Sequence, residues 1–573
     1  MASEANRGAV RLATNYGRLF STLLIGLLEV PLQIYWLGTE GFGLIGLLGP
    51  TIGLTAILQD MVTRSMVREL GVAYHAGDDA KFRAVTNACW VIALVAAAIS
   101  AGLFAALTFL VVPALSMPPE LIGPAQWYTA CGGIMSCCLI IFTPTANMYM
   151  VSERFVLQNT WIVGRRLCFF VSAIALLLLM GRSDVPASIR AFGILSSALV
   201  IVLLLLSVAL MWKSDRRTIP RPWKADRATL REIRGTFGWN SLVTFALNVA
   251  DKLPQLIVNL FIGLDANAAY ALAKRLAAYA RMITVGATFG LEAVSTRVAT
   301  AKDNAGEKLK SLLKHSTRLH TFVAMPAGIA IAVLAEPVLH YWAGAQMPED
   351  RRHIIPLGAI IVQILAVSMV ARGISEGWMR LLYGAGFVKN YAGTVVYSSI
   401  ATPLLTWAII AALGGNHPVS VYIPAIVYTV LFVASYMIIL PVKGASAMGA
   451  GLGEFVWPMS RPILVSVAAA LPLVAYWFLP DELRTGAAGL AVLGVTVGMY
   501  CTGYAAGSWF FVLTAEERRK VVGIIRRRGR RDPAVLRNPS IEAPEGETDA
   551  QPTSAARRSR RRNDAPDFNL PDF

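Results

Sequence analysis

Stretches of about 20 apolar residues, each long enough to cross roughly 30 Å of hydrocarbon as a helix, recur about fourteen times between residues 15 and 511. No other feature constrains the fold as strongly. In lipid every backbone N–H and C=O must find a partner within the protein, so a chain crosses as helices or as a closed barrel. Runs of this length, without period-two alternation, are helical. The composition agrees, with 55% of residues hydrophobic and only 15% charged. The chain therefore reads as an all-α polytopic membrane protein.

The first six expected spans are 15–37, 41–66, 85–112, 123–149, 157–181 and 189–212. The next six are 237–263, 266–293, 317–342, 354–379, 391–413 and 419–441, and two more lie at 455–478 and 486–511. Positive charge sets the orientation. Lys213, Arg216, Arg217, Arg221, Lys224, Arg227, Arg231 and Arg234 all follow span six. Arg297, Lys302, Lys308, Lys310, Lys314 and Arg318 follow span eight, and Arg68, Lys81 and Arg83 follow span two. The alternate turns, at 38–40, 117–122, 414–418 and 480–485, are short and poor in positives. Both termini are thus expected in the cytoplasm, in an inner (cytoplasmic) membrane. Residues 1–14 form a short cytoplasmic N-terminus with no signal-peptide pattern, so the first span is expected to serve as the insertion signal.

The net charge of +17 sits mainly in loops and tail, which points to topology and to anionic lipids at the basic loops and tail, not to nucleic acid. Cys89, Cys131, Cys137, Cys138, Cys168 and Cys501 all fall in spans, lack metal-site spacing, and read as packing residues. No P-loop, HExxH or nucleophile elbow occurs, and no long outer loop could host a transferase domain. The chain reads as a non-enzyme without cofactor or metal.

The basic linker 213–236 divides the spans into an N-lobe, 15–212, and a C-lobe, 237–441. At an offset of 225, Asn15 falls on Asn240, Phe20 on Phe245, Gly38 on Gly263 and Glu40 on Asp265. Phe155-Val156 also matches Phe387-Val388. Six spans per half make the repeat parallel. The expected architecture is two six-helix lobes in a parallel pseudo-twofold repeat around a central cleft, with two extra helices at 455–511. Residues 512–573 form a tail that opens with the capping-box pattern Thr514-Ala515-Glu516-Glu517 and carries two arginine clusters. Its polar, proline-rich remainder reads as disordered. It serves either to rest on anionic headgroups or to dock a cytoplasmic partner.

Ionisable groups inside spans are costly and mark functional pathways. Here cations dominate: Arg18, Arg165, Arg166, Lys252, Lys274, Arg275 and Arg281. Asp60–Arg64 and Arg372–Glu376 have i,i+4 spacing and read as local salt bridges. Arg165, Arg166, Lys274, Arg275 and Arg281 have no carboxylate at such spacing. They either line a cavity for an anionic substrate, where the guanidinium fork suits phosphate, or pair with carboxylates of other spans. Glu29 and Asp251, each two or three residues before a proline, are the candidates for ion coupling. Their alternative reading is as helix-kink stabilisers or interhelical partners.

The motifs Asn15-Tyr16-Gly17-Arg18, Trp36-Leu37-Gly38-Thr39-Glu40-Gly41-Phe42-Gly43-Leu44, Asp60 through Arg64 to Arg68-Glu69, and Val151-Ser152-Glu153-Arg154-Phe155 resemble polysaccharide flippases. These are the O-antigen and exopolysaccharide exporters of the multidrug/oligosaccharidyl-lipid/polysaccharide exporter superfamily. The resemblance covers about residues 10–440. It implies movement of a polyprenyl-diphosphate-linked oligosaccharide from the inner to the outer leaflet by alternating access, with head-group binding by the seven cations. Partners it suggests are a polysaccharide polymerase or glycosyltransferases. The fourteen-span layout also resembles lipid II flippases. Rival readings are a cation-coupled multidrug exporter of the same superfamily and a non-transporting scaffold for envelope enzymes.

Overall fold

A computed structural model describes the backbone of residues 2–519 except 183, 236–238, 288–290 and 300–303, together with residue 522; side chains are described from residue 14, with interruptions within 50–68, 232–241 and 285–303. Two units emerge, 1–512 and 513–573. In the second, the capping box closes: Glu517 N donates to Thr514 Oγ1 at 3.3 Å and Thr514 N to Glu517 Oε2 at 2.8 Å. The tail's arginine clusters lie outside the described residues, and Asp60 and Arg64 outside the described side chains.

Among the described residues, the regular structure of the first unit is all helical. Its N-lobe holds α1 (Ala2–His75), α2 (Asp79–Ala106), α3 (Pro119–Ile141), α4 (Thr143–Val151), α5 (Phe155–Met180) and α6 (Val185–Ser214). The linker helix α7 (Arg227–Gly235) leads to α8 (Trp239–Phe261), α9 (Leu264–Ala287), α10 (Leu291–Ala299) and α11 (Ala305–Val333). Then follow α12 (Ala335–Trp342), α13 (Ile354–Gly384), α14 (Val388–Leu413), α15 (Ile423–Val433) and α16 (Leu440–Met448). The extra module is α17 (Gly453–Ala469), α18 (Leu471–Ala475) and α19 (Gly486–Phe511).

By length and apolar content, nine helices among the described residues can cross a membrane, or eleven if bent pairs count as one span each. The expected fourteen is not reached. The shortfall falls on the second half of α1, part of which lies outside the described side chains, and on α8 and α9. Those two are interrupted by Asp251, Lys252, Lys274, Arg275 and Arg281. The bent pairs are α3–α4, at 52°, and α11–α12, at 73°. Pro144 and Pro337 sit in the first turns after these bends, where a missing N–H prevents the helix from continuing straight. The outer surface is apolar, with Leu178 and Leu179 79% and 80% exposed, as lipid contact demands.

The offset of 225 acquires a structural meaning at the crossing of α1 and α9. A Cβ on Gly43 would lie 3.2 Å from Ala268 Cβ, and one on Gly46 2.9 Å from Ala271 Cβ. Each glycine touches its own equivalent, which is the property of residues on a twofold axis. The equivalents Gly38 and Gly263 both take positive φ, +70° and +121°, where the chain turns between helices.

The extra module caps carbonyls that prolines leave open. Pro326 in α11 cannot bond to Phe322 O, and Tyr504 OH donates to that oxygen at 2.7 Å. Pro337 cannot bond to Val333 O, and Trp477 Nε1 donates to it at 3.1 Å. Two carbonyls that would otherwise lack a partner are satisfied by side chains from outside the repeat. The basic linker is folded as well. Arg217 pairs with Asp215 at 2.8 Å and with Asp79 at 2.6 Å, so it is tied to the start of α2.

Candidate functional site

A cavity of about 800 Å³ lies between the lobes. Thr63, Val67 and Met150 of α1 and α4 form one wall, and Asn248, Asp251, Arg281, Arg372, Glu376, Arg380 and Tyr391 of α8, α9, α13 and α14 form the other. In chain order most of these residues lie toward the helix ends that adjoin the basic turns, with Asp251 at the middle of α8. The cavity therefore occupies the basic half of the inter-lobe seam.

Its floor is a buried ion pair. Arg372 Nη1 donates to Asp251 Oδ1 at 2.9 Å and Oδ2 at 3.2 Å, and to Tyr428 OH at 2.6 Å. Tyr428 OH in turn donates to Asp251 Oδ1 at 3.0 Å. The Arg372 guanidinium also lies 5.7 Å from the centre of the Phe432 ring. Lys274 Nζ donates to the main-chain oxygen of Asp251. The expected Arg372–Glu376 pair within α13 does not form. Arg372 is only 5% exposed and turns to the acid on α8, because a buried carboxylate without a counter-charge would cost more than a local surface pair returns. Glu376 instead faces Arg281 of α9, with 3.7 Å between Arg281 Nε and Glu376 Oε2.

Farther from the basic end, a pocket of about 210 Å³ brings Glu29, Gln33, Arg166 and Arg275 together. Arg166 Nη2 lies 2.7 Å from Glu29 Oε2, and Gln33 Nε2 donates to Glu29 Oε1 at 3.0 Å. Arg275 comes from the other lobe and lies 5.7 Å from the centre of the Phe42 ring, with its buried Nη1 lacking a hydrogen-bond partner. A third pocket, about 250 Å³, holds Arg165 with Gln59, Asn147, Gln158 and Trp161. Thr63 lines both this pocket and the central cavity, so the two adjoin.

The structure thus distributes the expected cations. Arg281 lines the central cavity, Arg166 and Arg275 share the Glu29 pocket, and Arg165 has its own. Arg18, Lys252 and Lys274 line none of the three. Asp251 and Glu29, the coupling candidates, are both engaged by arginine across helices. Arg372, Arg380 and Tyr428 join the site without having been singled out as site residues. Arg372 had a signal, being a cation within a long apolar helix, but its i,i+4 acid supplied a sufficient local explanation.

The other half of the seam is closed. Gln255 Nε2 donates to Gly46 O at 2.7 Å and Asn267 Nδ2 to Gly43 O at 2.9 Å. Ser116 N donates to Asn259 Oδ1 at 3.1 Å, and Asn259 Nδ2 donates back to Ser116 O at 3.2 Å. Arg351 reaches Glu40 of the N-lobe at 2.6 Å and Asp265 of the C-lobe at 2.5 Å. These two carboxylates are the equivalents under the repeat.

Residues 154–349, about a third of the chain, match the family model for "Polysaccharide biosynthesis protein". No curated protein matches the chain in sequence at a significant level. Among solved structures, the chain resembles "Lipid II flippase MurJ, inward closed conformation" with a TM-score of 0.58 and 11% identity, over 86% of this chain and 97% of that one. It also resembles an inward-facing multidrug resistance MATE family transporter of the MOP superfamily, with a TM-score of 0.59 and 12% identity over 74% and 94%. A MATE complexed with MaL6 aligns with a TM-score of 0.54 and 13% identity over 77% and 96%. Over residues 154–349 the chain is thus similar to a polysaccharide-biosynthesis family, and over most of its length it shares the fold of these solved transporters.

Proposed function

We propose that the protein moves a polyprenyl-diphosphate-linked oligosaccharide from the inner to the outer leaflet for cell-surface polysaccharide synthesis. The observation that carries this reading is the inter-lobe cavity, open at the basic half and lined by Arg281, Arg372 and Arg380. Guanidinium groups hold phosphate oxygens through paired, charge-assisted hydrogen bonds. The basic end is the cytoplasmic one in this reading, with both termini inside and the protein in the inner membrane. The diphosphate enters from that side while the polyprenyl chain stays in lipid. Arg281 and Arg380 meet the diphosphate first, and the adjoining Arg165 pocket, with its amides and indole, receives part of the sugar. Closure of the basic half and release of the Arg351 latch then expose the head group to the other side, where Arg166 and Arg275 follow its exit. Arg18, Lys252 and Lys274 line none of the three cavities, and Lys274 holds the main chain at Asp251. A proton or sodium gradient, or the membrane potential, drives the cycle. Glu29 and Asp251 couple it by exchanging an arginine partner for a cation.

Asp251 and Glu376 in the same cavity favour a second reading, export of cationic drugs coupled to a cation gradient. Vesicles holding the purified protein separate the two. The flippase reading expects a fluorescent polyprenyl-diphosphate oligosaccharide to change leaflets, and expects Arg281→Ala/Arg380→Ala to abolish the movement. Uptake of cationic dyes with no flipping across several head groups would replace this reading with the second.

A further inference from the structure

Away from the inter-lobe seam, a hollow of about 440 Å³ opens between α11 and α17. Lys314, His315 and Arg318 line it from α11, and Trp457, Ser460 and Arg461 from α17. Lys314 and Arg318 are spaced i,i+4, as are Trp457 and Arg461, so each pair projects from one helix face. The two faces meet across the hollow. Glu454 lies 3.3 Å from Lys314 Nζ. Lys314 and Arg461 together outnumber that carboxylate, which leaves the hollow a positive excess.

Its surroundings are apolar and exposed. Trp457 is 77% exposed, and Leu464, three residues beyond Arg461 on α17, is 68% exposed. Leu319, beside Arg318, is exposed as well. A basic hollow that opens directly onto an apolar, lipid-facing surface, with an indole at the boundary, has the chemical profile of a phospholipid at the membrane interface. Ammonium and guanidinium groups suit a phosphodiester, and the leucines suit acyl chains.

We propose that this hollow binds the headgroup of an anionic phospholipid, with Lys314 and Arg461 meeting its phosphate and its acyl chains lying along Leu319 and Leu464. The lipid bridges α11 and α17, where the extra module joins the C-lobe. The site is independent of the transported substrate.

Full-length protein in nanodiscs of mixed phosphatidylglycerol and phosphatidylcholine tests this by the lipid retained after mild delipidation. The wild type should retain phosphatidylglycerol over phosphatidylcholine, and Lys314→Ala/Arg461→Ala should lose roughly tenfold of that preference. Thermal melting in pure phosphatidylcholine checks that the variant folds. Should it not fold, Arg461→Gln alone should lose part of the preference and Arg461→Lys should keep most of it. Unchanged preference in the folded variants would overturn the proposal. So would loss of retained lipid on adding inorganic phosphate at equal phosphate concentration, which would mark a free-anion site instead.

Discussion

At the end away from the basic turns, the lobes are joined by amide hydrogen bonds of 2.7–3.2 Å and by Arg351 between two carboxylates. At the basic end, the same helices part around a cavity of about 800 Å³. Apart from the Arg351 latch, the closed half uses neutral side chains, each hydrogen bond worth about 1 kcal/mol net. Among the described residues, the open half pairs Asp251 with Arg372 and Glu376 with Arg281, both within the C-lobe. The comparison teaches that the two ends of one cleft are built differently: amide hydrogen bonds and one arginine latch join the lobes at one end, and arginine–carboxylate pairs line the cavity at the other.

Breaking the charged floor should have the largest effect. Arg372→Ala leaves the half-buried Asp251 without its arginine partner, at a cost of about 3 kcal/mol or less. Thermal melting should fall steeply and flipping should cease. Asp251→Asn/Arg372→Gln, which removes both charges, should regain most of the stability but not the transport. Recovery of both would mean the pair is only structural.

Next in size is the latch. Arg351→Ala should free Glu40 and Asp265 and shift the population toward conformations open at the latch end. Spin labels at the exposed positions Glu120 and His417 would read this as a longer interlobe distance. An unchanged distance would show that the amide bonds alone close that half.

The module outside the repeat gives a smaller effect. Tyr504→Phe removes the donor to Phe322 O and should cost about 1 kcal/mol of stability without altering which end of the cleft is open. A change in the Glu120–His417 distance would tie the module to the gate.

The smallest effect concerns the linker. Asp215 lies just outside α6, and hydrogen bonds from Arg217 hold its carboxyl below the ordinary carboxylate range. A lowered folded value contributes stability at pH above the unfolded value of about 4, lost as pH falls through the folded one. Protease resistance of residues 213–226 should therefore be flat from neutral pH to about 5 and decline below about 4. Asp215→Asn should remove that dependence.

Much of the fold is legible in the sequence because lipid imposes long apolar runs and basic turns on any chain that crosses it. The breaks expected between 37 and 41 and between 263 and 266 fall where Gly38 and Gly263 take positive φ. The span count is harder to read where function places charge within helices, as in α9. The site is less legible because its partners are distant in sequence. Arg166 finds Glu29, and Arg372 finds Asp251 and Tyr428, through helix packing that no local spacing encodes. Arg372 and Glu376 show the hazard directly. Their i,i+4 spacing permits a pair, and tertiary contacts decide against it.

The most direct test of the account follows both halves of the seam in one experiment. Spin labels at Glu120 and His417 report the latch end, and labels at His75 and Lys389 report the basic end, in vesicles given a polyprenyl-diphosphate oligosaccharide and an ion gradient. The account expects the latch-end distance to lengthen as the basic-end distance shortens, and expects Arg281→Ala/Arg380→Ala to suppress both changes. Distances that stay fixed while substrate crosses, or that lengthen together, would contradict it.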